Sequence, residues 1–364
     1  MPLRIGVNAL YLIPGGVGGT EIYLRNLLPA LATAGKEHRF FLITNQETTD
    51  LNAAGAPNVE TLPQPVAARV RPARIIWEQT ALPALAARHR FDVLFNPGFT
   101  APLLCPCPQV TVFHDLQHKR HPEYFRWFDL PFWNMLLYGS AKRSARLIAV
   151  SEPTRQDLLK FYGVDAAVIP HGVEQGLFDV ANRREPERFI LCVSTLHPHK
   201  GIESLLAGFS SSNARREGFR LVLAGMRGFA APRVDAEIAR LGLANEVEVT
   251  GWIAREQVLD LYRRASVFVY PSRFEGFGMP AAEAMAAGVP IACSNIDPLR
   301  WVCGDAAEYF APGDSSAITS AIDRLIADAE SRTRLVAAGR ARAASFTWQA
   351  AAEKTLSVLD RGRR

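Results

Sequence analysis

Val267-Phe268-Val269-Tyr270-Pro271-Ser272-Arg273-Phe274-Glu275-Gly276-Phe277-Gly278-Met279-Pro280-Ala281-Ala282-Glu283-Ala284-Met285 is the most informative stretch of this 364-residue chain. Its first four residues are the β-branched and aromatic run of a buried strand. A helix is expected from near Met279, because Pro280 suits a first helical turn, where its missing N–H is no loss. Gly276 and Gly278 let the backbone come close to a ligand. The helix start exposes amide donors and the positive end of a dipole, a combination that attracts phosphate. Glu275 stands just before this helix and Glu283 about one turn inside it, so both can reach one ligand there. Carboxylates accept well from vicinal hydroxyls, so the site suits a molecule that joins phosphate to sugar hydroxyls. A plainer reading has Glu275 capping the turn and Glu283 complementing the dipole. The two glycines between strand and helix favour the ligand.

Working outward, short strand-like runs alternate with longer amphipathic segments in both directions. Strands are expected at 3–7, 39–44, 92–95, 110–114 and 147–150, with helices such as 20–34 and 132–144 between them. The pattern restarts with strands at 189–193, 220–224, 247–250, 267–270, 290–292 and 308–310. Helices are expected at 201–211, 231–241, 254–264, 280–287 and 315–329, and an amphipathic one at 348–359. Such alternation gives an α/β fold of two Rossmann-like, doubly wound domains, expected to face one another across a cleft. The polar segment 181–187 is read as a linker or surface loop. The expected domains are 1–168, 169–345 and a C-terminal helix, 346–364, packing back toward the first.

Composition narrows the classes. With 48% hydrophobic and 21% charged residues, the chain is neither disordered nor fibrous. No apolar run is long enough to span a bilayer, and Met1-Pro2-Leu3-Arg4 enters a strand without a signal-peptide pattern. Five scattered cysteines are an odd number and too few for a disulfide framework, which fits a reduced, cytoplasmic protein. The net charge of +5 helps hold anions. Aromatic residues are not interleaved with a Lys/Arg stripe, so no nucleic-acid partner is expected.

The stretch from Glu275 to Glu283 resembles the signature of the retaining glycosyltransferases of family 4, which have the GT-B fold. The resemblance covers nearly the whole chain. It includes Gly15-Gly16-Val17-Gly18-Gly19-Thr20-Glu21, His114-Asp115-Leu116, Ser151-Glu152-Pro153-Thr154 and Val168-Ile169-Pro170-His171-Gly172-Val173. It continues through Ser194-Thr195-Leu196-His197-Pro198-His199-Lys200, Val249-Thr250-Gly251-Trp252 and Phe346-Thr347-Trp348. By this resemblance Glu275 contacts the donor sugar and Glu283 the nucleotide ribose. Gly276 and the amides of Phe277, Gly278 and Met279 then meet the diphosphate, Lys200 binds phosphate, and His114 lies beside the donor sugar. Gly16 is the point of close backbone approach in the opening loop. The implied reaction is transfer of a hexosyl unit from a nucleotide diphosphate sugar, GDP-mannose first and UDP-sugars next, to a glycan or lipid-linked acceptor. Neither metal nor other cofactor is implied. Thr195 stands where many relatives carry an arginine, leaving His197, His199 or Arg227 as substitutes, and Trp301 replaces what is often a glutamate. A nucleotide-sugar epimerase of the same fold and a catalytically silent sugar-nucleotide binder are the alternatives.

Other candidates carry less. Gly15–Gly19 is not a dinucleotide fingerprint, because Glu21 stands where its third glycine should be. Asp115 as a nucleophile is disfavoured by the same-face reaction of the family. His114, His118 and His121 lack a completing ligand for a metal site. Cys105-Pro106-Cys107 reads as a structural loop. The basic segment 69–77 is either a solvated or crevice-lining stretch or a peripheral contact with the inner face of an anionic membrane.

Overall fold

A computed structural model describes residues 2–15, 18–48, 51, 55–179 and 185–363. The chain forms two compact units, Met1–Gly172 with Thr347–Arg364, and Val173–Phe346. Gly16 and residues 181–184 of the expected linker lie outside the described residues.

In the first unit the strands are β1 (Arg4–Asn8), β2 (Arg39–Thr44), β3 (Val59–Pro63), β4 (Val93–Asn96), β5 (Gln109–Phe113), β6 (Arg146–Ala149) and β7 (Ala167–Val168). All are parallel, in the order β3-β2-β1-β4-β5-β6-β7, with Ile5 paired to Phe40 on one side and Val93 on the other. The order reverses between β1 and β4, a topological switch point where ligands of open α/β sheets bind. Central strands are near-continuous apolar runs because helices cover both faces. The expected strands match β1, β2, β4, β5 and β6 within about one residue. Edge strands β3 and β7 have no counterpart among them: β3, VETLP, is mostly exposed and β7 is two residues long, so neither carries a buried-strand pattern. Helix Trp348–Gly362 packs on helix Gly19–Ala34 and on β4 to β6. A Cβ at Gly172 would stand 2.3 Å from Trp348 N, so this contact requires glycine.

The second unit holds β8 (Phe189–Val193), β9 (Arg220–Ala224), β10 (Val247–Gly251), β11 (Val267–Tyr270), β12 (Ile291–Ser294) and β13 (Ala307–Phe310). Its parallel order is β10-β9-β8-β11-β12-β13, so its switch point lies between β8 and β11. All six were expected, and so were the helices Ile202–Ser211, Ala231–Arg240, Arg255–Arg264, Met279–Ala286 and Ser315–Ala327. Helix Ala329–Ala343 was not, because it buries only Leu335, Gly339 and Ala343 and carries no apolar stripe.

Candidate functional site

In the second unit, the strands flanking the switch point, β8 and β11, end in loops that are fastened together. Arg273 N donates to His199 O at 2.7 Å, and Ser272 Oγ reaches the same carbonyl at 3.4 Å. Gly201, at φ +66°, approaches so closely that a Cβ would stand 2.3 Å from Pro271 O. This contact delivers Lys200 to the end of β11. Its Nζ lies 2.6 Å from Glu275 Oε1 and 3.3 Å from the hydroxyl of buried Tyr270. Burial raises the pKa of Glu275, but Lys200, His199 and the hydrogen bonds from Lys200 and Tyr270 outweigh it and hold the carboxyl below its usual range. Lys200 and Glu275, both named by the family resemblance, are thus brought together as an ion pair at the switch point.

Glu283 sits on the first turns of helix Met279–Ala286 and is 4% exposed. Its Oε1 accepts from Arg255 Nη2 at 2.6 Å and its Oε2 from Tyr262 Oη at 3.1 Å. Arg255 Nε also donates to Glu174 Oε1 at 3.0 Å. Sequence reasoning missed Arg255 and Tyr262. One signal was available: Arg255 opens a helix, where the macrodipole disfavours a cation unless a carboxylate holds it.

The loop between the glutamates is held from beneath. Gly278 has φ +94°, and a Cβ there would stand 2.5 Å from Leu299 Cδ2. Phe277 is buried with its ring 6.2 Å from Trp301 and 5.6 Å from Phe346. Trp301, the departure from the family glutamate, thus packs the underside of the loop. Phe277, Gly278 and Met279 lie at the helix start, within reach of the dipole's positive end. Around Thr195, Gly228 packs so tightly that a Cβ would meet Leu196 O at 2.6 Å, and His197 has its ring 5.2 Å from exposed Phe229. Of the three possible stand-ins for an arginine, Arg227 is engaged by Asp235. His199 acts electrostatically on Glu275.

In the first unit His114 follows β5 and is 7% exposed. Its Nε2 lies 2.7 Å from Pro97 O, and since a carbonyl only accepts, that nitrogen carries the proton and Nδ1 the lone pair. Its neighbours are aromatic: Tyr23 at 4.9 Å, Phe99 at 5.1 Å and His171 at 5.4 Å. Phe99 holds φ +69°, a conformation costly for a bulky residue, beside Gly98, whose Cβ would stand 2.4 Å from Tyr11 Cδ1. Burial pushes the His114 pKa down to about 4, against the pull of the Pro97 bond, and burial also pushes His171 down. The unfolded chain takes up these protons near pH 6.5, whereas folded His114 takes one up only near 4. Stability is therefore full above about pH 6.5 and falls as pH drops through that window. His114 alone removes roughly 2 kcal/mol by pH 5. Hydrogen exchange of the β5 amides at pH 7.5 and pH 5, corrected for intrinsic rates, measures this; equal protection would refute the neutral, buried assignment.

The remaining candidates separate. Asp115 Oδ1 accepts from Gln117 N at 2.9 Å, closing a turn. His118 bonds Tyr162 Oη at 2.6 Å and His121 bonds Glu123 at 2.9 Å, so with His114 on Pro97 the three imidazoles serve different partners. Among the described residues no His, Cys, Asp or Glu trio gathers as a metal site. Cys105 and Cys107 are free thiols with Sγ atoms 3.6 Å apart. The basic segment 69–77 mostly enters helix Arg71–His89 with Arg74 and Ile75 buried, so it is not a continuous exposed strip.

Residues 17–176 match the model of Glycosyltransferase Family 4, and residues 174–342 that of Glycosyl transferases group 1. The chain is 29% identical over 263 residues to the O-antigen chain mannosyltransferase B of Escherichia coli, covering 68% of this chain and 69% of that relative. It is 32% identical over 269 residues to an MMP alpha-(1->4)-mannosyltransferase of Mycolicibacterium hassiacum, covering 69% and 64%. Its backbone superposes on sucrose-phosphate synthase of Thermosynechococcus elongatus with a TM-score of 0.81 at 23% identity, covering 99% and 98%. Two family models that meet at residues 174–176, two switch-point sheets and a paired-glutamate loop agree: the chain belongs to the group 1 glycosyltransferases of GT-B fold, and the relatives it is similar to include mannosyltransferases.

Proposed function

We propose that this glycosyltransferase moves a hexosyl unit, mannose from GDP-mannose first and a UDP-sugar next, to a hydroxyl of a glycan or lipid-linked acceptor. It does so with retention and without metal or other cofactor. The observation that carries the reading is the Lys200–Glu275 pair at 2.6 Å beside the Gly276–Met279 loop, with Glu283 held separately by Arg255 and Tyr262. The nucleotide lies on the second unit, its ribose hydroxyls on Glu283 and its diphosphate on Lys200 and the amides of Phe277, Gly278 and Met279. Glu275 meets the sugar. The bond from the anomeric carbon to the β-phosphate breaks as the acceptor oxygen attacks from the same face, and the acceptor proton passes to the departing phosphate oxygen. Charge thus grows on phosphate, where a fixed cation and fixed amides stabilise it most. By the family resemblance His114 meets the sugar's reacting end, Gly16 is the point of close backbone approach, and the first unit takes the acceptor. The mannosyltransferase relatives support the choice of mannose as the sugar. Calorimetric titration with GDP and UDP, each with and without EDTA, followed by NMR of the product's anomeric configuration, tests the assignment. Selective, EDTA-insensitive binding and a retained configuration are the expected results. An inverted product overturns retention, and failure to bind nucleotides or nucleotide sugars overturns the donor site.

No helix among the described residues is long and apolar enough to cross a membrane. The proposed setting is cytoplasmic, with peripheral contact on an anionic inner membrane face. Support comes less from segment 69–77 than from helix Leu130–Arg143, which is apolar on both faces. Leu136, Leu137 and Ala141 are buried, yet Phe128, Phe132, Met135 and Tyr138, at helical spacing, face solvent beside Trp127, which is 83% exposed. Arg126 lies over the Phe128 ring, Lys142 over Tyr138 and Arg71 over Trp133, as cations at a headgroup boundary would. Wild-type protein is expected to sediment with phosphatidylglycerol vesicles and not with neutral ones. Trp127→Ser with Phe132→Ser should cut that binding about tenfold or more. Equal sedimentation of both proteins, or self-association that the substitutions abolish without any vesicle binding, would refute the contact.

A further inference from the structure

Neither glutamate role accounts for Arg255. It stands on the first turn of helix Arg255–Arg264, where the dipole opposes its charge, and its guanidinium spans two carboxylates. Nε donates to Glu174 at 3.0 Å and Nη2 to Glu283 at 2.6 Å. Burial opposes the charge of Arg255, but Glu283 and Glu174 outweigh it and raise its pKa above the ordinary arginine range. Tyr262, seven residues on and therefore on the same helix face, donates to the other Glu283 oxygen at 3.1 Å. Pro280 O, on the first turn of the Glu283 helix, lies 3.2 Å from the same hydroxyl and shares its single proton. Each Glu283 oxygen thus has one donor fixed from one helix and keeps acceptor capacity for another. A carboxylate restrained at both oxygens cannot rotate to face its own helix or the solvent.

We propose that Arg255 is a positioning residue: with Tyr262 it fixes the Glu283 carboxylate so that its remaining lone pairs point at two adjacent ribose hydroxyls, and Glu174 locks Arg255 in that pose. The proposal rests on the ribose role given to Glu283 above and adds the group that makes the role specific. A guanidinium with two planar donor directions can bridge both carboxylates, whereas an ammonium at the same place reaches them only as a point charge.

The test compares ligands as well as proteins. Affinities for GDP and for 2′,3′-dideoxy-GDP, or the uridine pair if uridine is the base that binds, are measured by calorimetry on the full chain. The wild type is expected to favour the ribonucleotide by about 10- to 100-fold, the worth of hydrogen bonds to a charged acceptor. Arg255→Met should shrink that preference to about threefold or less, and Arg255→Lys and Glu174→Gln should give intermediate values. A merely structural role would weaken both ligands alike and leave the ratio unchanged. If Arg255→Met loses its fold by circular dichroism, Glu174→Gln and Arg255→Lys carry the comparison. Wild-type preference retained in all three variants overturns the positioning role alone. Absence of any preference in the wild type overturns the ribose assignment and this inference with it.

Discussion

Lys200→Met is expected to lower the rate of sugar transfer about 100- to 1,000-fold, the loss typical when one preorganised donor is taken from a developing anion. The effect belongs at the upper end because no second cation is assigned to the phosphate beside Lys200. Thr195 occupies the place where many relatives carry an arginine, and Arg227 is engaged by Asp235. Lys200 is also mostly withdrawn from water, with a side chain 16% exposed, so its charge is weakly screened. Its ammonium is paired with Glu275, so under the proposed function a diphosphate competes with that carboxylate for it. Single-turnover rates with GDP-mannose measure the loss. Lys200→Arg, which keeps the charge and so avoids leaving Glu275 buried without a cation, should recover part of it. A Lys200→Met rate within threefold of wild type would remove Lys200 from the phosphate site.

Glu283→Ala is expected to weaken nucleoside diphosphate binding by about 10- to 150-fold, equivalent to roughly 1.5–3 kcal/mol of hydrogen bonding to a charged group. Glu275→Ala should behave differently. Nucleotide affinity should stay within about threefold, since its proposed partner on the ligand is the sugar, while transfer from intact donor slows by an order of magnitude or more. The contrast matters because both residues are acidic, Glu283 is buried and the Glu275 side chain only 11% exposed, and both stand on one loop–helix unit. Calorimetry with the nucleotide and turnover with the nucleotide sugar, run on both variants, separate the two roles. Equal changes in both assays for both variants would mean that the glutamates only hold the loop.

The central architecture was legible because its signals are local. Strand β11 is a four-residue apolar run that ends at Pro271, and the Gly-Phe-Gly loop and Pro280 mark where the next helix begins. The same logic found β1, β2, β8 and β9. Edge strands escaped because β3 has neither alternation nor an apolar face and β7 is too short for any period. At the site, Glu275, Glu283 and Lys200 were visible through motif spacing and resemblance. Their partners were not. Arg255 and Tyr262 meet Glu283 from another helix, a distance of 28 and 21 residues along the chain. Lys200 and Glu275 meet only because Gly201 rests on Pro271 O, a long-range contact that no sequence period encodes. His114 could be placed at a strand end, but its neutral state depends on Tyr23, Phe99 and His171 gathering around it from three separate segments.

The C-terminal helix has a consequence for how the protein is made. Helix Gly19–Ala34 buries Tyr23, Leu24, Leu27 and Leu31, and its partner along that face, helix Trp348–Gly362, buries Ala351, Ala352 and Leu359. The second of these leaves the ribosome only after all of residues 173–346, a delay of roughly 9–35 s at ordinary elongation rates. During that interval the first unit has all its strands but lacks one covering helix, and its parallel sheet, a slow, non-local topology exposed to misassembly, carries an open apolar seam. The second unit, continuous in sequence, can close first. Order of synthesis and order of completion are thus reversed, and a nascent chain stalled before residue 348 would expose its defect in the part that was translated earliest.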